Sequence, residues 1–162
     1  MWAAFMAVSL ICVLMLAPRV SAQAAASKEL GGAANQAAGG GAAYSGYKGV
    51  MVGMPMNEAR AKLGKARDTS DTEDFFVYSD KESAQVLYDT DKTVKVISVN
   101  FMDAAGAPSA KDVFGADAEA KPDGSIYKMV RYPKAGYWIS YNRTAGDEPM
   151  IIVTVHKLQR GQ

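Results

Sequence analysis

A helix-sized segment that ends in glycine and is followed by three strand-like segments occurs twice in this chain, in the same order. The first set is Arg60-Ala-Lys-Leu-Gly64, Phe76-Val-Tyr-Ser79, Val86-Leu-Tyr-Asp89 and Val96-Ile-Ser-Val99. The second is Lys111-Asp-Val-Phe-Gly115, Val130-Arg-Tyr-Pro133, Ile139-Ser-Tyr-Asn142 and Ile152-Val-Thr-Val155. Corresponding elements are offset by roughly 51 to 56 residues. Three strands alone bury too little apolar surface to be stable, so two such units are expected to share one core. The fold expected is α+β: two tandem helix-plus-three-strand units forming one antiparallel sheet, with short helices packed on one face.

Local patterns place the elements. Pro55 suits a helix start, Met56, Ala59 and Leu63 share one helical face, and Gly64 suits the closing position. In the second unit Ser109 is the expected N-cap, Val113 and Phe114 supply the apolar side, and Gly115 closes the helix. Strands are expected at about 74–79, 84–89, 94–101, 125–132, 136–142 and 149–157, rich in Val, Ile, Tyr and Phe and bounded by turn residues. The connections are short, which requires antiparallel neighbours. Residues 104–108 form the hinge between units. Alternation puts Ile97, Val99 and Phe101, with Ile151, Val153 and Val155, in the core under the helices. The opposite set is Val96, Ser98 and Asn100 with Ile152, Thr154 and His156, a mixed and partly wet face.

With 162 residues, the chain accommodates one ordinary domain plus extensions. Ala3 to Ala17 is an apolar run of about fifteen residues, shorter than the roughly twenty of a membrane-spanning helix. Pro18 and then Val20-Ser-Ala22 follow it, a small-residue pattern suited to signal peptidase. Residues 1–22 are therefore expected to be a signal peptide, and the mature chain exported, either periplasmic or secreted, and soluble. An uncleaved anchor is the alternative, since Met1-Trp2 carries no Lys or Arg and Arg19 lies beyond the run. Cys12 is the one cysteine and lacks the small residues that precede a lipidated cysteine, so no lipid anchor is expected. Cleavage would leave no cysteine, and hence no disulfide, thiol catalysis or zinc–thiolate site. Residues 23–46, nearly all Ala, Gly, Gln and Ser, read as a flexible tether. The folded domain is expected over 47–158, with units at 47–106 and 107–158.

Candidate chemistry is sparse. His156 is the one histidine and sits in the last strand; no Gly-x-Ser-x-Gly elbow surrounds a serine. Asp89 with Asp91, and the group Asp112, Asp117, Glu119 and Asp123, lack the spacing of a calcium loop and read as solvated turn acids. Asp71, Glu73 and Asp74 are expected in a loop before the first strand, with nothing to aim two of them across a cleft. Arg60, Lys62, Lys65 and Arg67 surround the end of the first helix, where they complement its dipole or contact an acidic partner or lipid. No cofactor or metal is expected. A net charge of +1, from 18 basic and 17 acidic residues, offers no footprint for nucleic acid.

The segment Val50-Met-Val-Gly-Met-Pro-Met-Asn-Glu-Ala-Arg-Ala-Lys-Leu-Gly64 resembles the opening of SmpA/OmlA (BamE-like) domains, in which an apolar residue and Gly-Met precede a short helix and Leu-Gly. The duplicated arrangement is similar to that of β-lactamase inhibitor protein. BamE-like proteins are lipid-anchored single units, whereas this chain has no lipobox cysteine and two units. The resemblance implies the fold first, and then a non-enzymatic binding module of the cell envelope.

Aromatic residues are the functional signal that the strands offer. Tyr and Trp give large contact area and a polar tip at low entropy cost. Trp138 has Ser140 and Asn142 on its side of the strand, while Tyr137, Ile139 and Tyr141 point the other way. The candidate partner-binding set is Trp138 with Tyr78, Tyr88, Tyr132 and Tyr141, and the partner expected is a protein of the cell envelope. A small-ligand carrier and an enzyme with an unrecognised site are the alternatives.

Overall fold

A computed structural model describes residues 42–159. The expected signal peptide, Cys12 and the tether up to residue 41 lie outside the described residues. The elements run β1 (Gly46–Tyr47), β2 (Val50–Met51), α1 (Met56–Leu63), β3 (Asp68–Thr69), β4 (Glu73–Ser79), β5 (Glu82–Tyr88), β6 (Val94–Phe101), α2 (Ala110–Phe114), β7 (Ile126–Tyr132), β8 (Tyr137–Arg143) and β9 (Ile151–Lys157). The fold is α+β. Strands β1 and β2 form a small hairpin, and the rest form a seven-stranded antiparallel sheet in the order β3-β4-β5-β6-β9-β8-β7. The sheet therefore reads outward from a central β6–β9 pair, through β5 and β4 on one side and β8 and β7 on the other.

That central pair joins the two expected core trios directly. Ile97 faces Val155, Val99 faces Val153 and Phe101 faces Ile151, and all six are buried. Burying one such side chain contributes about 1.5–3 kcal/mol relative to leaving it in water. Ala59 and Leu63 of α1, Ala110 and Val113 of α2, and Tyr47 and Val50 of the small hairpin belong to the same core. Both helices thus cover one face of the sheet. The other face has no element over it among the described residues.

Each helix is defined by its ends, since five and eight residues are too few to persist alone. Pro55 is the N-cap residue of α1, one position earlier than a first-turn proline, and its carbonyl accepts the Ala59 N–H. In α2 the Ser109 side chain accepts from the Asp112 N–H while the Asp112 carboxylate accepts from the Ser109 N–H, a reciprocal capping box. Gly115 closes α2 in the left-handed region, at φ 74° and ψ 1°.

Two expectations change. Packed structure starts before the predicted tether boundary at residue 46: Ala42 is buried, and the Tyr44 N–H donates to the Val113 carbonyl at 3.2 Å. Tyr44 supplies the apolar surface that the preceding Ala/Gly stretch lacks. Asp74 does not lie in a loop. It is fully buried within β4, where its carboxylate accepts from Arg60 Nε and Nη2, both at 2.8 Å, and from Tyr88 Oη at 2.6 Å. Arg60 is consequently a bolt between α1 and the sheet. Burial, then hydrogen bonding to Asp74, pushes the Tyr88 pKa upward.

Candidate functional site: the uncovered sheet face

Cross-strand partners share a face, so the register defines the uncovered surface. One row across it runs Glu73, Leu87, Val96, His156, Trp138, Arg131. A second runs Phe75, Gln85, Ser98, Thr154, Ser140, Met129. The third runs Val77, Ser83, Asn100, Ile152, Asn142, Tyr127. The middle is polar, with the Ser98 and Thr154 hydroxyls 3.1 Å apart. The first row ends on the charged Glu73 and Arg131, whereas the other two end on apolar residues, of which Val77, Tyr127 and Met129 are among the most exposed large apolar side chains described.

Trp138 stands in this face and stacks on His156, with ring centroids 4.9 Å apart and planes 8° from parallel. His156 Nδ1 lies 2.6 Å from the Lys157 carbonyl oxygen, which fixes the imidazole against the indole. On the β4 side, Gln85 Nε2 donates to Glu73 Oε1 at 2.7 Å. Stacked, half-buried rings held from behind form a rigid anchor of the kind that interfaces use.

The remaining four predicted residues lie on the helix side. Tyr88 and Tyr141 are buried there. Tyr132 packs against Tyr137 at 5.4 Å, and Tyr78 stacks on Phe76 at 6.2 Å with its hydroxyl directed to the Leu63 carbonyl at 3.4 Å. Their parity explains this: Tyr141 alternates with Ile139, Tyr88 with Val86, and Tyr78 with Phe76, each the core side of its strand. The aromatic set therefore divides between the two faces, with Trp138 alone on the uncovered one. On neighbouring β7, Arg131 faces it, Met129 is diagonal to it, and Tyr127 lies two rows further along; none of the three belongs to the expected set. Their signal was available as period-two spacing: 127, 129 and 131 share parity, and Arg131 is the cross-strand partner of Trp138.

The acidic candidates are engaged locally. Asp89 receives Lys157 at 3.1 Å, Asp91 accepts from Thr93, Asp112 caps α2, and Asp123 accepts from Ser125. Among the described residues no three His, Cys, Asp or Glu side chains converge as a metal site. A shallow groove of about 490 Å³ lies between loop residues 117–122 and the β7 residues Tyr127 and Lys128. Among the described residues no helix is long and apolar enough to cross a membrane.

The chain matches no family model and no curated protein. Among solved structures it has a likeness to a DUF4309 family protein (YjgB) from Bacillus subtilis, at 11% identity and a TM-score of 0.43, over 68% of this chain and 84% of that one. A likeness of that degree carries no argument about function.

Proposed function

We propose that this chain is an exported, non-enzymatic binding module of the bacterial cell envelope, which holds a protein partner on the uncovered face of its sheet. The observation that carries the reading is the arrangement of that face: a stacked Trp138–His156 pair with Val96 and Leu87 in its row and exposed Met129 on the neighbouring row, beside a polar centre, and exposed Tyr127 further along β7. Apolar anchors with polar groups between them suit a protein surface, which offers both kinds of contact. Export rests on the apolar run at 3–17 and the Val20-Ser-Ala22 pattern. We read the two helix-plus-three-strand halves as a duplicated SmpA/OmlA-like unit. The repeated order of elements and their similar offsets, roughly 51 to 56 residues, support that reading, as does the resemblance of the segment from Val50 to Gly64.

The full-length tagged chain, expressed with cross-linking in the envelope, tests the proposal. A partner captured by the native chain and by Thr90→Ala, but lost with Trp138→Ala at unchanged thermal stability, is the expected result, corresponding to about 2 kcal/mol or more of binding. Equal capture by Trp138→Ala, together with loss of capture after disruption of the helix side, would remove the sheet face from consideration.

A further inference from the structure

A second site lies on the other side of the sheet, where the β1–β2 turn meets the end of β4 and the start of β5. The turn is Lys48-Gly49, between the paired residues Tyr47 and Val50, with φ of 47° and 78°. Two positive φ values define the primed turn that suits a tight hairpin, and Gly, Asn or Asp normally fill its first position. Lysine there is an uncommon choice that costs backbone strain. Its side chain folds back over two aromatic rings. Lys48 Nζ lies 3.2 Å from the centroid of the Tyr78 ring and 5.2 Å from that of Tyr47. The two rings are 5.8 Å apart and inclined at 58°, Tyr47 buried and Tyr78 half-buried, so they form two walls of a corner that the Lys48 side chain fills. Glu82 closes it: its carboxylate accepts the Tyr47 hydroxyl and lies 4.0 Å from Lys48 Nζ.

Two tyrosine faces and one carboxylate around a cation are the elements that recognise organic ammonium ions. Glu82 lies beyond hydrogen-bond distance of the ammonium, so ring faces and net charge hold the cation. Such a corner favours a weakly hydrated cation over a primary ammonium, which gives up more water to enter it. We propose that Tyr47, Tyr78 and Glu82 form a binding site for quaternary ammonium ions, and that Lys48 occupies it as a built-in competitor. The site is separate from the uncovered sheet face, and it stands whether or not that face binds a partner.

Calorimetric titration of choline chloride into the full chain and its Lys48→Gly variant tests this. Glycine retains the turn and removes the competitor. The expected result is that Lys48→Gly binds choline at least about tenfold more tightly than the native chain. Adding Tyr78→Leu abolishes that gain, while adding Tyr78→Phe, which keeps the ring, retains it. Adding Glu82→Gln at this partly exposed position weakens binding and guards against misfolding of the leucine variant. Ammonium chloride produces no comparable heat. Phosphatidylcholine vesicles separate the sources: their capture by Lys48→Gly assigns a lipid headgroup, and binding of free choline alone assigns a soluble cation. Choline binding that is no tighter in Lys48→Gly than in the native chain, or that is unaffected by Tyr78→Leu in the folded protein, overturns the proposal.

Discussion

At the residue scale, the bond between Arg60 and Asp74 shows how differently its two partners depend on each other. Asp74 is fully buried, whereas the Arg60 side chain is 38% exposed. Losing Asp74 lets the guanidinium turn to water; losing Arg60 strands a carboxylate inside, with Tyr88 as its remaining side-chain donor. Arg60→Ala is therefore expected to cost about 3 kcal/mol, the low end for a broken buried pair because water can enter beside the vacated side chain. In an Asp74→Asn background the same change is expected to cost about 1 kcal/mol, since no buried charge remains. Urea unfolding of the four proteins measures the coupling, and equal costs in both backgrounds would show that the pair does not act through charge. Neither partner was legible in this role. A carboxylate beside Asp71 and Glu73 reads as loop, and only the register of β4 places it under a helix. Face assignment was legible at Trp138, whose neighbours are polar. It was ambiguous at Tyr88, because Val86, Leu87 and Tyr88 are all apolar and alternation leaves no mark there.

Among elements, α2 relies most on its cap. It has five residues, and its Ser109–Asp112 box satisfies two donors that the helix cannot satisfy itself. Ser109→Ala is expected to cost about 1 kcal/mol. Thermal unfolding checks this, with Lys111→Ala on the exposed side as the neutral reference. The two helices and the six longer strands were legible because terminating residues frame them: Pro55 and Gly64, Ser109 and Gly115, and the turn clusters between strands. The two-residue strands β1, β2 and β3 were not legible. Two residues show no periodicity, and tertiary contacts hold them, such as the Arg67 N–H donating to the Phe75 carbonyl at 2.8 Å. Strand β7 forms one edge of the sheet, and Lys128 and Arg131 are the charges that guard it against unwanted pairing.

At the scale of the whole molecule, the covered side of the sheet is rich in tyrosine, and this sets an alkaline limit on stability. Burial, then the Glu82 charge, pushes the Tyr78 pKa up to about 12 from an ordinary 10.0. Burial and the bond to Glu82 raise Tyr47 further, and Tyr44 is raised by burial and the same carboxylate. These groups keep their protons in the folded state at pH values where the unfolded chain releases them. Their contribution is fully present below pH 10 and is lost as pH rises through the folded values. Urea midpoints are thus expected to fall between about pH 9 and about pH 11, with phenolate absorbance lagging behind that of the unfolded chain. A constant midpoint with tyrosines titrating together near their ordinary value would show that these rings are solvated.

The position of β9 sets a clock on assembly. It is the last strand among the described residues and yet lies in the middle of the sheet, between β6 and β8. A polypeptide that emerges N-terminus first completes β6 roughly fifty residues before β9 begins. Whether those residues arrive from a ribosome or through a membrane pore, β6 is complete before its neighbour is present. Until β9 arrives, the inner edge of β6 presents unpaired backbone groups beside Ile97, Val99 and Phe101. Chains truncated before Ile151 should therefore aggregate more readily than the full chain on dilution from urea, as light scattering would measure.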